Sequence, residues 1–600
     1  MLARYIPKDA LVDIEADLHR LGSRASDAGD LNALSAQAEA ELPSLKQYDH
    51  WGRRVDVLVT SSAWKQLKAI AAEEGIVAAA YERRHGEHSR LHMFAKVVLF
   101  TPVSNMVGCP LSMTDGAARV LEQHGTSSMR AEVLPHLLSR DPTQMWTSGQ
   151  WMTERPGGSD VGNTESFAEA RVANESAWYS VHGFKWFSSA TDSDITMLLA
   201  RAPVDKETSS ENYLPGSRGL SLFLARMRDE TTGELNGVRV HRLKDKFGTK
   251  GLPTAELELR GMHARLIGQE HRGVPTIASI LNITRVWCCM TVVANLRRSL
   301  NIAKVYATRR TAFGALLADK PAHQMCIANM EVQVRGYTQL AFFLAHLLGR
   351  SECTWERYAG GCPANRQMVD DERNLLRILT PVAKAFIAKH GCAAIAEAME
   401  ALGGQGYMEE TGIGRLLRDA LVNTIWEGTT NIMGLDVLRV LTGTGGNAYA
   451  SLRRYVIGNL TRVSNQLATA SSDSASKEQL STAITAVRQA VGQIDKFLSD
   501  VRKAPNSEQA LEASARALTF ALGRVTAGTL LIIQAAWALD AANSRSADEA
   551  ASDVFAAFTW CVGSPIPLAG ELASSIPAVV VPDGSTLQHA RAIAFGVSKL

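Results

Sequence analysis

The chain has 600 residues, of which 46% are hydrophobic and 21% charged, and its formal net charge is +2 at pH 7. This composition is that of an ordinary globular protein with room for three or four domains, and the near balance of charge excludes a general attraction to nucleic acid or membrane surfaces. Its eight cysteines include no Cys-x-x-Cys pair and no regular spacing, so neither a metal site nor a disulfide framework is predicted, and a reducing compartment is expected.

The first two predicted segments precede every chemical motif. Residues 1–49 are predicted to form an N-terminal arm, which begins MLARYIPKDALVDIEADLHRLG and lacks the apolar stretch of a secretory signal. Residues 50–144 carry helical spacing in runs such as SAWKQLKAIAAEEGIVAAAYERR. They are predicted to form an N-terminal helical domain.

Residues 145–266 change to short alternating runs, which predicts a β domain. The runs are FAEARV, ITMLLAR, LSLFLAR, VRVHRL and AELEL, and they are bounded by Gly, Asp, Asn and Pro. Two motifs lie among them, MTERPGGSD from Met152 and KWFSS from Lys185. Gly157 and Gly158 would allow a tight turn, although a GGSD turn alone is common.

Helical spacing returns over residues 267–446, which are predicted to form a C-terminal helical domain. In its first half, RRTAFGALLADKPAHQ follows a helix whose arginines are also explained by a solvated basic face. In its second half, residues 402–431 read LGGQGYMEETGIGRLLRDALVNTIWEGTTN. Gly403 and Gly404 would allow a large polar ligand to approach the backbone, and Glu427 stands between Trp426 and Gly428. From the residues alone, a purely structural explanation accounts for this segment as well as a ligand site does: the glycines would cap one helix, a loop would follow, and Glu427 would start the next helix.

Residues 447–600 are predicted to be an additional helical region after a TGTGGN linker. The apolar run at residues 525–539 is shorter than the roughly 18 residues of a membrane span, so a buried core helix and no span are predicted. The last three residues, Ser598, Lys599 and Leu600, form the SKL signal that a peroxisomal import receptor reads, with odds of about one in 8000 in random sequence. The predicted location is therefore the peroxisomal matrix.

Taken together, the motifs resemble those of the acyl-CoA dehydrogenase superfamily. GGQGY, RLLRDA and IWEGTTNI match its C-terminal signature, MTERPGGSD and KWFSS its flavin-contacting strands, and RRTAFG…HQ its subunit-contact motif. YDHWGRRVDVLVTSSAW, HRLKDKFGTKG and NIMGLDVLRVL resemble the AidB-like branch. The resemblance implies a mostly α fold with a central β domain: an N-terminal helical domain, a β-barrel-like domain and a C-terminal helical bundle, followed by the extra helical region.

The resemblance also implies FAD as cofactor and assigns the site residues. Glu427 is the implied catalytic base. The implied cofactor-binding residues are Met152, Thr153, Ser159, Phe187, Ser189, Arg310, Phe313, Gln324, Gly403, Gly404, Thr429 and Asn431. Because Arg310, Phe313 and Gln324 reach the FAD of a neighbouring subunit in relatives, a homo-oligomer, tetramer or dimer, is implied. Ser159 and Arg285 are the implied substrate-binding residues, although a lone arginine is also explained by a structural role.

The implied reaction is α,β-dehydrogenation of an acyl-CoA thioester, with Glu427 taking the α-proton and flavin N5 accepting the β-hydrogen as hydride. The peroxisomal signal favours reoxidation by oxygen, as in an acyl-CoA oxidase, whereas the motifs favour a dehydrogenase with another acceptor. The alternative is an AidB-like DNA-binding protective flavoprotein with weak or no acyl-CoA turnover. Residues 451–600 hold 13 Lys and Arg against 12 Asp and Glu, which argues against DNA binding. A third alternative is a scaffold that only retains FAD, against which the presence of Glu427 argues.

Overall fold

The computed structural model describes residues 1–26, 29–173, 176–204, 213–229, 231–356, 363–469, 474–503, 507–540, 543, 546–563 and 592. The chain divides into two compact units. The first comprises Met1–Ile14, His85–Phe94 and Cys288–Leu600, and the second comprises Glu15–Arg84 and Ala95–Trp287. The SKL tripeptide lies outside the described residues, so its predicted role stays a prediction.

The elements follow one another in three stretches, helical, strand-rich and again helical. The longer helices are Lys8–Ala25, Asp30–Ala40, Ser62–Glu73, Ser89–Phe100, Gly108–His124, Ser127–Leu137, Gly273–Ala307, Pro321–Cys353, Pro363–Glu400, Ile413–Leu421, Thr430–Gly443, Asn447–Thr469, Ser474–Lys503, Ser507–Leu539 and Ala547–Phe558. The strands are β1 (Ser44–Tyr48), β2 (Arg54–Val59), β3 (Ser148–Trp151), β4 (Phe167–Ala173), β5 (Ser176–Ser189), β6 (Ile195–Arg201), β7 (Leu220–Arg226), β8 (Val238–Leu243), β9 (Thr254–Ile267), β10 (Thr311–Ala312) and β11 (Ala315–Leu316).

The second unit is built around a seven-stranded sheet that curls on itself. Its strand order is β3-β6-β4-β5-β9-β7, β8 pairs with β9, and a further pairing of β6 with β7 closes the path. Two pairings depart from the antiparallel pattern, since β3 and β4 each pair with β6 in parallel. Closure leaves few sheet edges unpaired, as in other small barrels.

Two hydrophobic cores hold this sheet from its two faces, because side chains alternate along a strand. On β6, Leu198 and Ala200 join one core, which Trp151, Tyr179 and Phe223 fill from other strands. The intervening residues of β6 and β7 join a second core with the helices Gly108–His124 and Ser127–Leu137; its members include Leu121, Leu137, Ile195, Met197, Leu199, Leu222 and Ile280. The run ITMLLAR is apolar at successive positions because both faces of the strand are covered.

Residues 1–49, predicted as an arm, contain the short helix Leu2–Tyr5, the longer helices Lys8–Ala25 and Asp30–Ala40, and β1. In the helix Lys8–Ala25, Ile14 and Leu21 are fully buried. Asp17 of the same helix accepts hydrogen bonds from Arg20 and from the fully buried Lys96 at 2.5 Å. The spacing Leu11, Ile14, Leu18, Leu21 is the helical signal that identifies this segment.

Long helices make up the first unit. Pro321–Cys353, Pro363–Glu400 and Ser507–Leu539 pack against one another, and Thr430–Gly443 packs against the second and third of them. Trp560 is fully buried, and a Cβ at Gly336 would lie 2.4 Å from its ring. Arg524 lies over the same ring at 4.4 Å and donates to the Trp560 carbonyl at 2.9 Å.

A buried carboxylate ties several of these helices together. Glu331, 3% exposed, accepts hydrogen bonds from Arg297, Lys304 and Arg335 at 2.8–3.1 Å. Burial raises the pKa of Glu331, but the three cations outweigh it and hold that pKa at about 2. Arg335 also reaches Asp553 on the helix Ala547–Phe558 at 3.1 Å, so the cluster extends into the C-terminal region.

Three helices, Gly273–Ala307, Asn365–Glu400 and Ser507–Leu539, are long and apolar enough to cross a membrane by length and composition alone. In each, 72–83% of the most apolar window is buried inside the fold. The apolar run at residues 525–539 belongs to the third of them and is buried, as the core-helix prediction required.

The predicted fold class is confirmed: helical N- and C-terminal regions flank a central β domain, and additional helices follow. The domain boundaries at residues 49, 144, 266 and 446 stay a prediction. The two compact units interleave segments of the chain, and the helix Gly273–Ala307 contributes to both.

Candidate functional site

The first motif lies directly after β3, in the second unit. Met152 and Thr153 are half-buried, and the chain then turns through Gly157 and Gly158 to Ser159, which is exposed. A Cβ at Gly158 would lie 2.7 Å from Thr153 Oγ1 and 3.1 Å from Thr153 Cγ2. Only glycine therefore allows the turn to lie against the Thr153 hydroxyl.

The second motif lies at the end of β5 and is joined to the first. The backbone N–H of Trp186 donates to the backbone carbonyl of Thr153 at 3.0 Å, and the indole N–H of Trp151 donates to the Ser189 carbonyl at 3.4 Å. Phe187 is 56% exposed, an unusual fraction for a phenylalanine inside a strand. The Ser189 hydroxyl shares a hydrogen bond of 2.9 Å with the hydroxyl of its cross-strand partner on β9, Thr254.

A buried ion pair fixes these two motifs to each other. Lys185 Nζ lies 2.6 Å from Glu154 Oε1, with side chains 0% and 2% exposed, and it also donates to the Leu199 carbonyl at 2.9 Å. Glu154 accepts further hydrogen bonds from the Glu165 and Ser166 N–H groups. Burial raises the pKa of Glu154, but the Lys185 charge and these hydrogen bonds lower it by more, so the carboxylate is ionised.

A second lysine lies against the aromatic side chains of the same strand. Lys244 Nζ is 3.5 Å from the Trp186 ring centroid and 4.9 Å from that of Phe187. Glu256 accepts a hydrogen bond from Lys244 at 2.6 Å and keeps it in place. The cation covers one side of the aromatic pair.

Glu427 lies in the first unit, in a backbone turn that is unusual for a residue with a side chain. Its φ is 59° and that of Gly428 is 105°, so two successive residues have positive φ. Trp426 is half-buried, and its indole donates to Asn423 Oδ1 at 3.0 Å. Thr429 is the N-cap residue of the helix Thr430–Gly443. Backbone strain of this kind clusters at functional sites.

The glycine cluster also belongs to the first unit. Gly403, with φ 62°, and Gly404 begin the short helix Gly403–Tyr407. A Cβ at either position would meet no atom within 4 Å in the described part of the chain. Packing within the chain therefore does not explain Gly404, whereas close approach of a bound group would. Tyr407, which follows, is 81% exposed.

The RRTAFG motif forms a small hairpin of β10 and β11. Its tip is Phe313 and Gly314, both left-handed, with φ of 50° and 77°, and Phe313 is 97% exposed. Arg310 precedes the hairpin and is exposed. Gln324 is 5% exposed, and its amide donates to the Ala318 carbonyl at 2.7 Å, so within this chain it supports the loop that follows the hairpin.

The remaining predicted residues lie on helices. Arg285 is half-buried on Gly273–Ala307, in the second unit. Asn431 is exposed at the start of Thr430–Gly443, where its Oδ1 lies 3.5 Å from Arg516. Within the second unit the structure thus joins Thr153, Phe187 and Ser189. Within the first, Thr429 and Asn431 lie two and four residues after Glu427, at the start of the helix Thr430–Gly443.

Sequence reasoning missed four charged residues of these segments: Glu154, Lys185, Lys244 and Lys384. Lys384 lies on Pro363–Glu400, is 1% exposed, and donates from Nζ to the Gly428 carbonyl. Lys185 gave a signal, because it is a charge inside a strand between Phe184 and Trp186, whereas Glu154 lies outside the strands, in the segment after β3. Lys384 gives no such local signal, since its partner is distant in sequence.

The residues present fit a flavin nucleotide. A flat ring needs an apolar surface and nearby hydroxyl groups, which Phe187, Thr153 and Ser189 supply in the second unit. The open backbone at Gly403 and Gly404 suits a bulky polar group such as a dinucleotide. No group of three His, Cys, Asp or Glu side chains that could hold a metal ion occurs among the residues that the structure describes.

Comparison with protein-family models matches four successive parts of the chain. Residues 2–142 match the adaptive response protein AidB N-terminal domain, and residues 149–262 match the acyl-CoA dehydrogenase middle domain. Residues 271–442 match the acyl-CoA dehydrogenase C-terminal domain, and residues 459–577 match the acyl-CoA dehydrogenase 11 C-terminal domain-like family.

Individual relatives agree with these matches. Acyl-CoA dehydrogenase family member 11 of Caenorhabditis elegans is 40% identical over 94% of this chain and 86% of its own length. The crystal structure of ACDH-11 from that organism, in complex with C11-CoA, superposes with a TM-score of 0.84 at 38% identity, over 94% of this chain and 90% of that chain. Putative acyl-CoA dehydrogenase AidB of Escherichia coli (strain K12) is 32% identical over 72% of this chain and 74% of its own.

A more distant structure shares the fold alone. Acyl-CoA dehydrogenase from Bacillus anthracis, complexed with FAD, superposes with a TM-score of 0.66 at 17% identity, over 98% of this chain and 95% of that chain. The likeness therefore extends over the additional C-terminal helices.

Proposed function

This chain belongs to the acyl-CoA dehydrogenase superfamily, in its AidB-like branch, and from that premise we propose that it oxidises the acyl group of an acyl-CoA thioester between the α- and β-carbons. The observation that carries the proposal is the Glu427 turn: a carboxylate on strained backbone, three residues before the helix Thr430–Gly443, within a matched acyl-CoA dehydrogenase domain. Glu427 takes the α-proton.

The base needs a fixed position and an acidified substrate. An α-proton of a thioester becomes acidic enough for a carboxylate only when the carbonyl oxygen is polarised, and the Glu427 backbone N–H is the donor that we assign to it. Such donors are typically worth about 2.7–4 kcal/mol each, and a placed general base contributes roughly 10²–10⁴-fold. Because both groups belong to one residue, the left-handed turn sets their mutual geometry.

FAD is the proposed cofactor, and it supplies the acceptor for the β-hydrogen, which leaves as hydride. In the second unit, Met152, Thr153, Ser159, Phe187 and Ser189 would hold it. Thr429 and Asn431 are further proposed cofactor contacts, and Gly403 and Gly404 would, with Arg310, serve a cofactor shared across subunits. The fit rests on the exposed Phe187 ring, on the Thr153 and Ser189 hydroxyls of the two joined motifs, and on the open backbone at Gly403 and Gly404.

The proposed assembly is a homo-oligomer, tetramer or dimer. Phe313 supports this, because a phenylalanine that is 97% exposed at the tip of a tight turn adds almost nothing to packing within one chain. With Arg310 and Gln324 it would reach the FAD of a neighbouring subunit. Ser159 and Arg285 are the proposed contacts to acyl-CoA.

The proposed location is the peroxisomal matrix, on the strength of Ser598, Lys599 and Leu600. Electrons would then pass from the reduced cofactor to oxygen or to another acceptor. Fusing residues 591–600 to a fluorescent protein tests the address, with Leu600 deleted as the matched control. Diffuse fluorescence of the intact fusion would contradict it.

The experiment for the activity is an anaerobic titration of the purified, FAD-loaded protein with saturated acyl-CoAs. We expect loss of the oxidised flavin absorbance with one chain-length class, and C11-CoA is the first probe because a similar protein was crystallised with it. Readmitted oxygen that restores the absorbance and yields hydrogen peroxide would identify an oxidase. No loss of absorbance across the panel would contradict the proposal and favour a non-catalytic or protective flavoprotein.

A further inference from the structure

Lys384 is a buried cation that contacts the turn carrying Glu427. It lies in the middle of the helix Pro363–Glu400, its side chain is 1% exposed, and its Nζ donates to the carbonyl of Gly428. A lysine is almost never buried unless its ammonium group is paired. Here the ammonium is held against the peptide carbonyl directly after Glu427.

The backbone at this carbonyl does not hold its conformation by itself. Glu427 has φ 59° and Gly428 has φ 105°, and a residue with a side chain occupies that region only where its surroundings impose it. Gly428 packs closely as well, since a Cβ there would lie 2.4 Å from Met433 Cε. The turn is therefore held from the helix Thr430–Gly443 on one side and by Lys384 on the other.

The two helices that hold the turn are themselves locked together. Thr430–Gly443 packs against Pro363–Glu400, and Arg377 Nη2 lies 2.8 Å from Asp436 Oδ1 between them. Lys384 is seven residues beyond Arg377 on the same helix, two turns along the same face. The hydrogen bond to Gly428 thus starts from a helix that is paired with the helix Thr430–Gly443, with Pro381 between the ion pair and Lys384.

We infer that Lys384 is a positioning residue, whose ammonium holds the Gly428 carbonyl and thereby fixes the left-handed turn that aims the Glu427 carboxylate at the substrate. The inference rests on the proposed role of Glu427 as α-proton base. Lys384 itself does not touch substrate. Its loss should slow proton removal without weakening binding, because a displacement of about 1 Å at a catalytic group costs on the order of 100-fold in rate.

The test isolates proton removal from redox chemistry. The probe is 3-thiaundecanoyl-CoA, in which sulfur replaces the β-carbon, so that no β-hydrogen can leave. Exchange of its α-hydrogens with D₂O, followed by mass spectrometry, reports only the base. The variants are Lys384→Met, which keeps the length and removes the donor, and Lys389→Met, an exposed lysine on the same helix, as matched control.

We expect Lys384→Met to lower the maximal exchange rate by about 10- to 100-fold, with FAD content and the half-saturating probe concentration unchanged. Lys389→Met should match the parent. If Lys384→Met does not fold, Lys384→Gln decides, because its amide is too short to reach the carbonyl and should also lower the maximal rate. A folded variant whose maximal rate equals that of Lys389→Met would overturn the inference, as would a loss confined to the half-saturating concentration.

Glu427→Gln separates this inference from the function on which it rests. If that variant exchanges the α-hydrogens of the probe as fast as the parent, Glu427 is not the base, and both the proposed base role and the positioning role of Lys384 are wrong. If it is inactive while Lys384→Met matches Lys389→Met, the base is established and only the positioning role fails.

Discussion

Replacing Gly158 by alanine should weaken FAD binding through one displaced hydroxyl. Gly158 is not among the glycines in the left-handed region, so alanine can adopt its backbone conformation. The new Cβ would lie 2.7 Å from Thr153 Oγ1, where ordinary contact begins near 3.4 Å. Either the Thr153 side chain or the exposed turn must therefore shift by roughly 0.7 Å, and displacement of the Thr153 hydroxyl is the case that this prediction tests.

The expected size follows from the hydrogen bond that Thr153 would lose. A hydrogen bond to a ligand is worth about 1 kcal/mol net, which is about fivefold in the dissociation constant of FAD. The assay is titration of FAD-free protein with FAD, followed by quenching of flavin fluorescence. Melting temperature is recorded in parallel to show that the fold is kept.

A double-mutant cycle makes the reasoning refutable. Thr153→Ala removes both the hydroxyl and the methyl that Gly158→Ala would strike, so it should cost about the same fivefold. Adding Gly158→Ala to Thr153→Ala should then cost nothing more. An equal loss in both backgrounds, or unchanged affinity of Gly158→Ala alone, would show that the turn does not act through Thr153.

Three further outcomes follow from buried charge and exposure. Lys185→Met should lower the free energy of unfolding by about 3–5 kcal/mol, because Glu154 stays buried without its cation; a urea midpoint equal to the parent's would contradict this. Glu331→Gln should cost about 3 kcal/mol at pH 7, since burial raises the pKa of Glu331 but its cations lower it to about 2, from an ordinary 4.5. The stabilisation from ionised Glu331 is present above about pH 4.5 and is lost as the pH falls toward 2. The urea midpoint of Glu331→Gln should therefore fall less on acidification than that of the parent. Equal dependence of the two midpoints on pH would refute this prediction. Phe313→Ser should leave the melting temperature of the chain unchanged yet reduce the oligomer mass measured by light scattering. An unchanged mass would show that the exposed ring does not contribute to assembly.

Local sequence patterns predicted most of the helices and strands. The short runs ITMLLAR and LSLFLAR predicted strands that the structure shows as β6 and β7, because a short, mainly apolar run bounded by turn residues is typical of a strand covered on both faces. The helix Lys8–Ala25 was missed although Leu11, Ile14, Leu18 and Leu21 follow helical spacing, since the charged residues between them masked the apolar stripe.

The motif residues of the site were predictable, but their supports were not. Resemblance singled out Thr153, Phe187 and Glu427, and their individual roles stay predictions. Lys384 was beyond reach, because a lysine in a helical run reads as a solvated face, and only the tertiary fold brings it to Gly428, 44 residues away in sequence.

The most direct test of the central claim is the anaerobic spectrum of Glu427→Gln mixed with C11-CoA, beside the parent protein. We predict that the variant retains FAD and binds the acyl-CoA, while its oxidised flavin absorbance persists and that of the parent is lost. Equal loss of absorbance in both proteins would show that Glu427 is not the base of the reaction.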